Sequence, residues 1–478
     1  MFNINHYIEK GKKYYIYGTK GTGIYCFNKI KEQFGEGFVL GFIETEPKTD
    51  ECRKKKVYAL DEIGYIPEDT RIIIASANYF KEIKENLINK GVEAEKIIVL
   101  DGIYPYFKNI KSYHKNIKRV CFWPPIKENN RDIRKKISWF LPDKAVVIVW
   151  CEDDIKESFN SNIRFGKKDD IEGEFEEADI IFVWDIKAKI EKLIDYWDKT
   201  YVVDPDFWYY TETINFSTIY YKLFSEREKN YFLDESRVLF QKLKLENKEK
   251  RANVFCSGPS IDEIYNRKFN SDLNIVTNSM VKDQELLERI SPKILIYTDQ
   301  NFYLSPNEFC KKFYEDVLET VKKYDSYIIV FDDSKPLILH HFPMLRGKVI
   351  GIPYDSPEFV FPDVDNFRVK NTGNILTQLL LPIASSLCDE IGIAGCTGRN
   401  PDETYYWKHN PKTQYIDLMQ SVFDMYPSIF RDQKYDDYYD RHCKTVKDMI
   451  KYGEQLGKKY INMTTSYISA LNERTIDA

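Results

Sequence analysis

The feature that most limits the folds open to this chain is a repeated alternation of short apolar runs with amphipathic helical patterns. In the first part of the sequence, the apolar runs lie at residues 13–17, 38–43, 71–75 and 96–100. Strands that alternate with helices are typical of parallel sheets with helices packed on their faces. The same alternation returns further along the chain, so we predict a multi-domain α/β protein built from Rossmann-like parallel sheets.

The length of 478 residues is too great for one domain of ordinary size. The changes in pattern predict a Rossmann-like accessory domain, a second α/β domain, a helical connector and a catalytic domain, at residues 1–105, 106–215, 216–251 and 252–478. The connector is predicted from its helical and highly charged pattern. The last domain begins at Ala252, with a strand that runs into a Gly-Pro turn.

Composition excludes several classes of function. A formal net charge of -5 provides no broad basic field for nucleic acid. No apolar run approaches the roughly 18 residues of a membrane span, and the first residues lack the basic and then apolar order of a signal peptide. The nine cysteines include no C-x-x-C pair and fit a reduced compartment. We expect a cytoplasmic protein, and a peripheral association with the inner face of the membrane stays open.

A glycine-rich turn, GTKGTG at residues 18–23, follows the first predicted strand, and Glu44 ends the second. In Rossmann-like units such a turn admits a phosphate, and such an acid binds a ribose. Residues 12–102, with the runs GFIETEP and IIIASANY, resemble the Rossmann-like domains attached to surface-polysaccharide enzymes. Two alternatives stay open: this domain binds a nucleotide or nucleotide-sugar, or it is a degenerate accessory domain.

Polar clusters follow several predicted strands of the C-terminal half. They are Ser257-Gly258-Pro259-Ser260, Asn278-Ser279, Thr298-Asp299-Gln300 and Gly395-Cys396-Thr397-Gly398. Ligands of open parallel sheets lie outside the carboxyl ends of the strands, so we expect these clusters to converge on one ligand. Gly258 permits a close approach of the backbone to that ligand.

A further candidate is the segment Asn371-Thr372-Gly373-Asn374, which opens a predicted apolar helix that runs from Thr372 to Leu387. The free amide groups and the dipole at the start of a helix can receive a phosphate. We also expect Asn371 or Thr372 to cap this helix, a role that is compatible with contact to a ligand.

The motifs FCSGPSID, IVTNSM, LIYTDQ, NTGNILTQ and YYWKHNPKTQY occur in this order across residues 252–470. In this order they resemble the bacterial sialyltransferases of glycosyltransferase family 42 and a wider group of flagellin-modifying proteins that share the G-P-S turn. The resemblance implies a GT-A-like single nucleotide-binding domain, a CMP-activated donor of the sialic-acid type and no obligatory metal.

By this resemblance, His409 takes the position of the family's general base, within a Tyr-x-x-His pair that begins at Tyr406. We expect Tyr405 and Tyr406 to stabilise the leaving phosphate. The expected donor-binding residues are Ser257, Gly258, Pro259, Ser260, Asn278, Asp299, Asn371, Thr372, Gly373 and Thr397. Departures from the family, such as Ser257 in place of an Asn, leave the exact sugar open.

The sequence therefore predicts a glycosyltransferase of surface-glycan biosynthesis that uses a CMP-sugar, with inversion at the anomeric carbon and without a cofactor or metal. The expected acceptor is a glycan, a lipid-linked glycan or a flagellin. One alternative is diphosphate transfer from ATP, as in a pterin pyrophosphokinase-like branch, and another is a non-catalytic glycan- or nucleotide-binding assembly factor. A metal site at Asp332-Asp333, after an apolar strand, is the alternative to metal-free chemistry.

Overall fold

In a computed structural model of the protein, the described residues are those of 1–478 other than 1–3, 5–6, 78, 101–106, 128, 152–158, 167–169, 187–190, 208, 248–250, 270–271, 400–409, 429–434 and 475–478. Their strands form three sheets, of six, five and seven strands. Every strand pairing is parallel except the short one between Glu51–Cys52 and Lys55–Ala59. The predicted α/β class with parallel sheets is confirmed.

The first sheet has the strand order β3-β4-β2-β1-β5-β6. Its strands are β1 Lys13–Tyr17, β2 Val39–Glu44, β3 Glu51–Cys52, β4 Lys55–Ala59, β5 Thr70–Ile74 and β6 Ile97–Val99. The helices of this region are α1 Gly21–Phe34 and α2 Phe80–Asn89. Strand β4 was not predicted from the sequence, because Val57 is its one buried residue and its KKVYA composition lacks an apolar run.

The second sheet has the order β11-β10-β7-β8-β9. Its strands are β7 Arg119–Ile126, β8 Val146–Cys151, β9 Ile163–Phe165, β10 Ile180–Val183 and β11 Thr200–Val202. Helices α3 Arg131–Phe140 and α4 Ile171–Glu177 belong to this stretch of chain. Two long helices follow, α5 Tyr209–Lys222 and α6 Glu226–Asn247, so the region that was predicted as a connector is helical.

The third sheet has the order β16-β15-β14-β13-β12-β17-β18 and is parallel throughout. Its strands are β12 Ala252–Phe255, β13 Leu273–Thr277, β14 Ile294–Ile296, β15 Tyr327–Phe331, β16 Val349–Ile352, β17 Glu390–Ala394 and β18 Lys459–Asn462. Central strands such as β15 are buried along their whole length. Helices cover both faces of such a sheet, which explains why these strands appear in the sequence as continuous apolar runs.

The helices around this sheet are α7 Gln284–Ile290, α8 Gln300–Tyr303, α9 Glu308–Tyr324, α10 Lys335–His341, α11 Leu381–Leu387, α12 Met419–Met425, α13 Tyr435–Gln455 and α14 Ser469–Asn472. A π-helical turn, Leu376–Leu380, leads directly into α11. Both segments are buried throughout, and they pack with strands β12 and β17 in one hydrophobic core. That core holds the centre of the sheet in place.

The chain forms two compact units. The first comprises Met1–Ile133 and Asp143–Phe216, and the second comprises Arg134–Pro142 and Ser217–Ala478. The division into four domains stays a prediction. Within the described part of the chain, no helix is both long enough and apolar enough to cross a membrane.

Candidate functional site

The third sheet reverses its direction of winding beside its central strand. Strand β12 pairs with β13 on one side and with β17 on the other. The chain winds outward from β13 to β16 and then returns to the opposite side of β12 to form β17 and β18. Such a switch point separates the loops at the carboxyl ends of the strands and leaves a crevice for a ligand.

A cavity lies at this switch point, with about 530 Å³ of empty space, solvent included. The loops after β12, β13 and β17 supply most of its wall. The remaining wall comes from Asn374, Ile375 and Leu376 at the start of the buried helix, from His442 on α13, and from Ile468.

The predicted donor-binding residues divide into two groups around this cavity. Those that line it are Ser257, Gly258, Asn278 and Thr397. Those outside its lining are Pro259, Ser260, Asp299, Asn371, Thr372 and Gly373. The three predicted catalytic residues, Tyr405, Tyr406 and His409, lie outside the described residues. The structure therefore brings together predicted residues from three separate strand ends.

Gly258 packs so closely against the loop after β17 that no side chain fits. Its amide group donates a 2.9 Å hydrogen bond to the carbonyl oxygen of Gly395. A β carbon at Gly258 would lie 2.4 Å from that oxygen and 2.7 Å from Oγ1 of Thr397. Gly395 itself has a φ of +72°, which favours glycine. These two glycines allow the two loops to meet at the cavity wall.

A cluster of hydroxyl groups holds Thr397 in place. Thr397 Oγ1 accepts a 2.9 Å hydrogen bond from the amide of Ser260 and lies 2.8 Å from Ser260 Oγ. Ser260 Oγ also donates to Thr464 Oγ1 at 3.2 Å, and Thr464 Oγ1 accepts a bond from the amide of Gly395 at 2.9 Å. Ser260 therefore positions a cavity-lining residue without lining the cavity itself.

Asn278 follows β13 directly and has a left-handed backbone, with a φ of +52°. Asparagine tolerates this conformation better than most residues do. Its side-chain oxygen Oδ1 is buried, and within the described part of the chain it accepts no hydrogen bond. Because a buried acceptor without a donor is costly, this oxygen is suited to receive a donor group of a ligand.

The helix that faces the cavity begins later than the sequence predicted, and its cap is Asn374. Oδ1 of Asn374 accepts a 3.0 Å hydrogen bond from the amide of Leu376, and its carbonyl accepts one from the amide of Gln378 at 2.8 Å. Its Nδ2 also donates to the hydroxyl of Tyr438 at 2.9 Å. A capping side chain of this kind fixes the first turn of a helix.

The expectation that Asn371 or Thr372 caps the helix is wrong. Gly373 has a φ of +75° and turns the chain before the helix starts. Oδ1 of Asn371 accepts bonds from the amide of Gly373 and from Nε2 of Gln378, at 3.2 and 2.9 Å. Thr372 Oγ1 lies 2.8 Å from Thr377 Oγ1. Both side chains therefore brace the turn that precedes the cap.

His442 is a cavity residue that sequence reasoning missed, because it stands within a charged helix. It is only 6% exposed, and burial lowers its pKa to about 4, so the imidazole is neutral at physiological pH. A neutral imidazole offers one hydrogen-bond donor and one acceptor. The helical spacing from His442 to the buried Val446 and Met449 is the signal that could have placed it on the inner face.

Asp299 belongs to a separate recess after β14, which Gln300 and Ser334 also line. Its carboxylate accepts a 3.3 Å hydrogen bond from the amide of Asn301 and caps the short helix α8. Capping is the role that the described contacts assign to it.

The segment that follows His409 in the chain is anchored beside the cavity. Nδ2 of Asn410 donates to Oδ1 of Asp262 at 3.2 Å. Nε2 of Gln414 donates to Oγ of Ser257 at 3.3 Å, and Nζ of Lys282 donates to the carbonyl oxygen of Gln414 at 2.8 Å. These contacts join residues 410–414 to the loops after β12 and β13.

The acid pair after β15 lies outside the lining of the cavity. Asp332 accepts a 3.0 Å hydrogen bond from Tyr221, and Asp333 accepts one of 2.7 Å from Tyr354. Burial, with the charge of Asp333 as a second cause, raises the pKa of Asp332 well above its ordinary value. The described residues contain no group of three or more His, Cys, Asp or Glu side chains suited to a metal ion.

In the first sheet, the predicted ribose-binding acid contacts its own glycine-rich turn. Oε1 of Glu44 accepts hydrogen bonds from the amide and the hydroxyl of Thr19, at 2.8 and 2.6 Å. Gly23 is required here, because a β carbon would lie 1.9 Å from the carbonyl oxygen of Gly18. These contacts give Glu44 a structural role in closing the turn, and ligand binding by this domain stays a prediction.

Two solved structures from Campylobacter jejuni were found to be similar to this chain. One is the sialyltransferase CstII in complex with the substrate analogue cytidine-5'-monophosphate, at 11% identity and a TM-score of 0.28, over 47% of this chain and 84% of that one. The other is the monofunctional alpha-2,3-sialyltransferase Cst-I, at 12% identity and a TM-score of 0.30, over 48% and 83%. No family model matches this chain, and no curated protein matches it significantly. TM-scores this low do not establish a common fold, so the case for function rests on the site.

Proposed function

We propose that the chain is a glycosyltransferase that moves a sialic-acid-type sugar from a CMP-activated donor to a hydroxyl group, with inversion at the anomeric carbon. The observation that carries the proposal is the cavity at the switch point of the third sheet. Ser257, Gly258, Asn278 and Thr397 line it from three strand ends. These residues also belong to the motifs that resemble the family of CMP-dependent sialyltransferases.

In this proposal the nucleotide occupies the cavity whose wall Gly258 helps to form, where this glycine packs against the loop after β17. The buried Oδ1 of Asn278 accepts a hydrogen bond from an amino or hydroxyl group of the nucleotide. The phosphate lies toward the start of the helix that Asn374 caps, where the backbone amides and the helix dipole favour an anion. Asn371 and Thr372 support this turn from outside the cavity.

The reaction forms a bond from the acceptor oxygen to the anomeric carbon and breaks the bond from that carbon to the phosphate oxygen. The electron pair of the broken bond leaves with CMP. His409 takes the proton of the acceptor hydroxyl, and the phenols of Tyr405 and Tyr406 stabilise the charge on the departing phosphate. A phosphate monoester leaves with less need of a metal than a nucleoside diphosphate, so we propose metal-free catalysis.

A panel of nucleotides tests the identity of the ligand. We expect CMP to raise the melting temperature of the full chain more than CDP, UDP or ATP does, because stabilisation grows as RT ln(1 + [L]/Kd). A preference for ATP together with release of AMP would support diphosphate transfer. Tight CMP binding without turnover of any CMP-sugar would support a non-catalytic binding factor.

Hydrolysis of a CMP-sugar in the presence and absence of EDTA tests the proposed chemistry. We expect turnover to be the same in both conditions. The metal alternative at the acid pair after β15 would be favoured if EDTA abolished turnover and Mg²⁺ or Mn²⁺ restored it. The Asp332→Asn variant should then show no turnover. The acceptor, whether a glycan, a lipid-linked glycan or a flagellin, stays a prediction that labelled CMP-sugar and candidate acceptors can test.

A further inference from the structure

Two cysteines meet in the wall of the cavity. Cys256 follows β12, Cys396 follows β17, and their Sγ atoms lie 2.8 Å apart. Both side chains line the cavity. All nine cysteines lie among the described residues, and each is a free thiol. The proposed sugar-transfer chemistry uses neither Cys256 nor Cys396, so their meeting calls for a separate explanation.

The backbone holds this pair in register. The amide of Cys256 donates to the carbonyl oxygen of Ala394, and the amide of Gly258 donates to the carbonyl oxygen of Gly395, each at 2.9 Å. The two segments therefore stay in backbone hydrogen-bond contact just beyond the end of the β12–β17 ladder. Because the two sulfur atoms already lie 2.8 Å apart, a bond of about 2.05 Å demands little movement of the backbone.

The two thiols differ in their surroundings. Cys256 is half-buried, whereas Cys396 is only 7% exposed. Cys396 Sγ donates its proton toward Cys256 Sγ, and this bond, together with burial, raises the pKa of Cys396 well above its usual range. Oxidation of a thiol depends on the access of the oxidant to its sulfur, and Cys256 is the more exposed of the two. This arrangement assigns the first attack to Cys256 and the resolving step to Cys396.

We propose that Cys256 and Cys396 form an oxidisable dithiol that closes to a disulfide in the wall of the cavity. The oxidant is a peroxide. The Cys256 thiolate attacks one oxygen of hydrogen peroxide, and the O–O bond breaks to give a sulfenic acid and water after proton transfer. Cys396 sulfur then attacks the Cys256 sulfur and displaces a second water. The two thiols lose two electrons and two protons to the peroxide, which is reduced to two molecules of water.

Formation of this disulfide changes the two loops that carry donor-binding residues. Cys256 directly precedes Ser257 and Gly258, and Cys396 directly precedes Thr397. A covalent bond draws the two sulfur atoms from 2.8 Å to about 2.05 Å and fixes the rotamers of both side chains. Oxidation therefore reshapes the cavity and weakens nucleotide binding, a consequence that rests on the proposed function.

The test treats the full chain with hydrogen peroxide, blocks the remaining thiols under denaturing conditions and maps the peptides by mass spectrometry. We expect a peptide that links Cys256 to Cys396, and the loss of two of the nine titratable thiols. Reduction with dithiothreitol restores both thiols. Failure to find this linked peptide, or a disulfide that joins other cysteines at the same peroxide concentration, would overturn the proposal.

Single variants separate the two roles. In Cys396→Ser we expect a sulfenic acid on Cys256 that dimedone labels, whereas Cys256→Ser leaves Cys396 unlabelled. Cys52→Ser, which removes another half-buried thiol, retains the linked peptide. Equal dimedone labelling of Cys396 in Cys256→Ser would contradict the assigned order.

Binding of CMP to the reduced and the oxidised protein tests the consequence for the cavity. We expect a smaller CMP-induced rise in melting temperature after oxidation, and recovery after reduction. If the fully linked protein binds CMP as tightly as the reduced protein does, the proposed effect of the disulfide on the cavity is wrong. If the reduced protein does not bind CMP, the proposed function fails, and peptide mapping still decides whether the dithiol forms.

Discussion

The amide group of Gly258 donates a 2.9 Å hydrogen bond to the carbonyl oxygen of Gly395, across two loops that lie 137 positions apart in the chain. This bond extends the pairing of β12 with β17 beyond the sheet and brings the G-P-S turn to the cavity. It depends on the absence of a side chain at Gly258, because a β carbon would lie 2.4 Å from the oxygen that accepts the bond.

Gly258→Ala should therefore separate the two loops. We expect a loss of roughly 1–3 kcal/mol in the free energy of unfolding, the usual cost of an overpacked site, together with loss of the CMP-induced rise in melting temperature. Urea unfolding and a thermal-shift titration measure the two effects. The matched control is Gly64→Ala, where a β carbon meets no atom within 4 Å. A Gly258→Ala protein that binds CMP normally would contradict the role of this contact.

Asn278 offers a way to separate backbone strain from ligand contact. Because its φ is +52°, Asn278→Gly should be at least as stable as the wild type, whereas Asn278→Ala should lose about 1 kcal/mol. Both variants lose the buried Oδ1, so we expect both to lose most of the CMP-induced stabilisation. Retention of CMP binding by Asn278→Gly would show that the amide oxygen does not contact the nucleotide.

The sequence predicted the parallel sheets and their inner strands well, because buried strands such as β14 and β15 are unbroken apolar runs. It also predicted that Gly258, Asn278 and Thr397 meet, since the carboxyl ends of parallel strands share one edge of a sheet. His442 and the cap at Asn374 could not be predicted in the same way. They depend on which helix packs over the cavity and on where the chain turns before that helix, both of which are properties of tertiary packing.

His442 should make stability depend on pH. Its folded pKa of about 4 lies below the ordinary value of about 6.5, so the unfolded chain binds a proton that the folded chain does not. The free energy of unfolding is therefore highest above about pH 6.5, where His442 is neutral in both states, and it decreases as pH falls toward 4. Between pH 7.5 and pH 5, we expect the loss that depends on His442 to be about 2 kcal/mol.

Urea unfolding of His442→Gln at both pH values checks this expectation. The variant removes the titrating group, so its stability should fall less over this range than that of the wild type. His114→Gln, which removes an exposed histidine, should leave the pH dependence unchanged. Parallel pH curves for His442→Gln and the wild type would refute the predicted linkage.

Lys335 should be essential for stability, although it stands outside the cavity. Its side chain is 1% exposed, and its ammonium group contacts Glu235 at 2.7 Å, the hydroxyl of Ser236 at 2.9 Å and the carbonyl oxygen of Phe232 at 3.0 Å. Burial lowers the pKa of Lys335, and the ion pair with Glu235 opposes that shift. These contacts attach helix α6 to α10 at the start of the latter helix.

Lys335→Met leaves Glu235 without this partner, and we expect a loss of about 3 kcal/mol in the free energy of unfolding. Lys242→Met on α6, where the side chain is 59% exposed, should change stability by less than about 0.5 kcal/mol. Urea denaturation measures the free energy of unfolding of both variants. If Lys335→Met and Lys242→Met have equal free energies of unfolding, the buried contacts of Lys335 contribute no net stability.

His409 is the residue on which the proposed chemistry depends most directly. If it removes the proton of the acceptor hydroxyl, His409→Ala should reduce transfer from a CMP-sugar by about 10²–10⁴-fold, the usual contribution of a general base. CMP binding should change little, because the cavity contacts proposed for the nucleotide come from Gly258, Asn278 and Thr397. A lower rate constant at unchanged affinity separates loss of a base from loss of the site.

The pH profile of the transfer reaction gives a second readout that a structural role would not produce. A base must be neutral to accept the proton, so activity in the wild type should fall as pH drops below the pKa of His409, and His409→Ala should lack this limb. His114→Ala is the control, since His114 lies in the first of the two compact units. If His409→Ala retains both the rate and the acidic limb, another residue acts as the base.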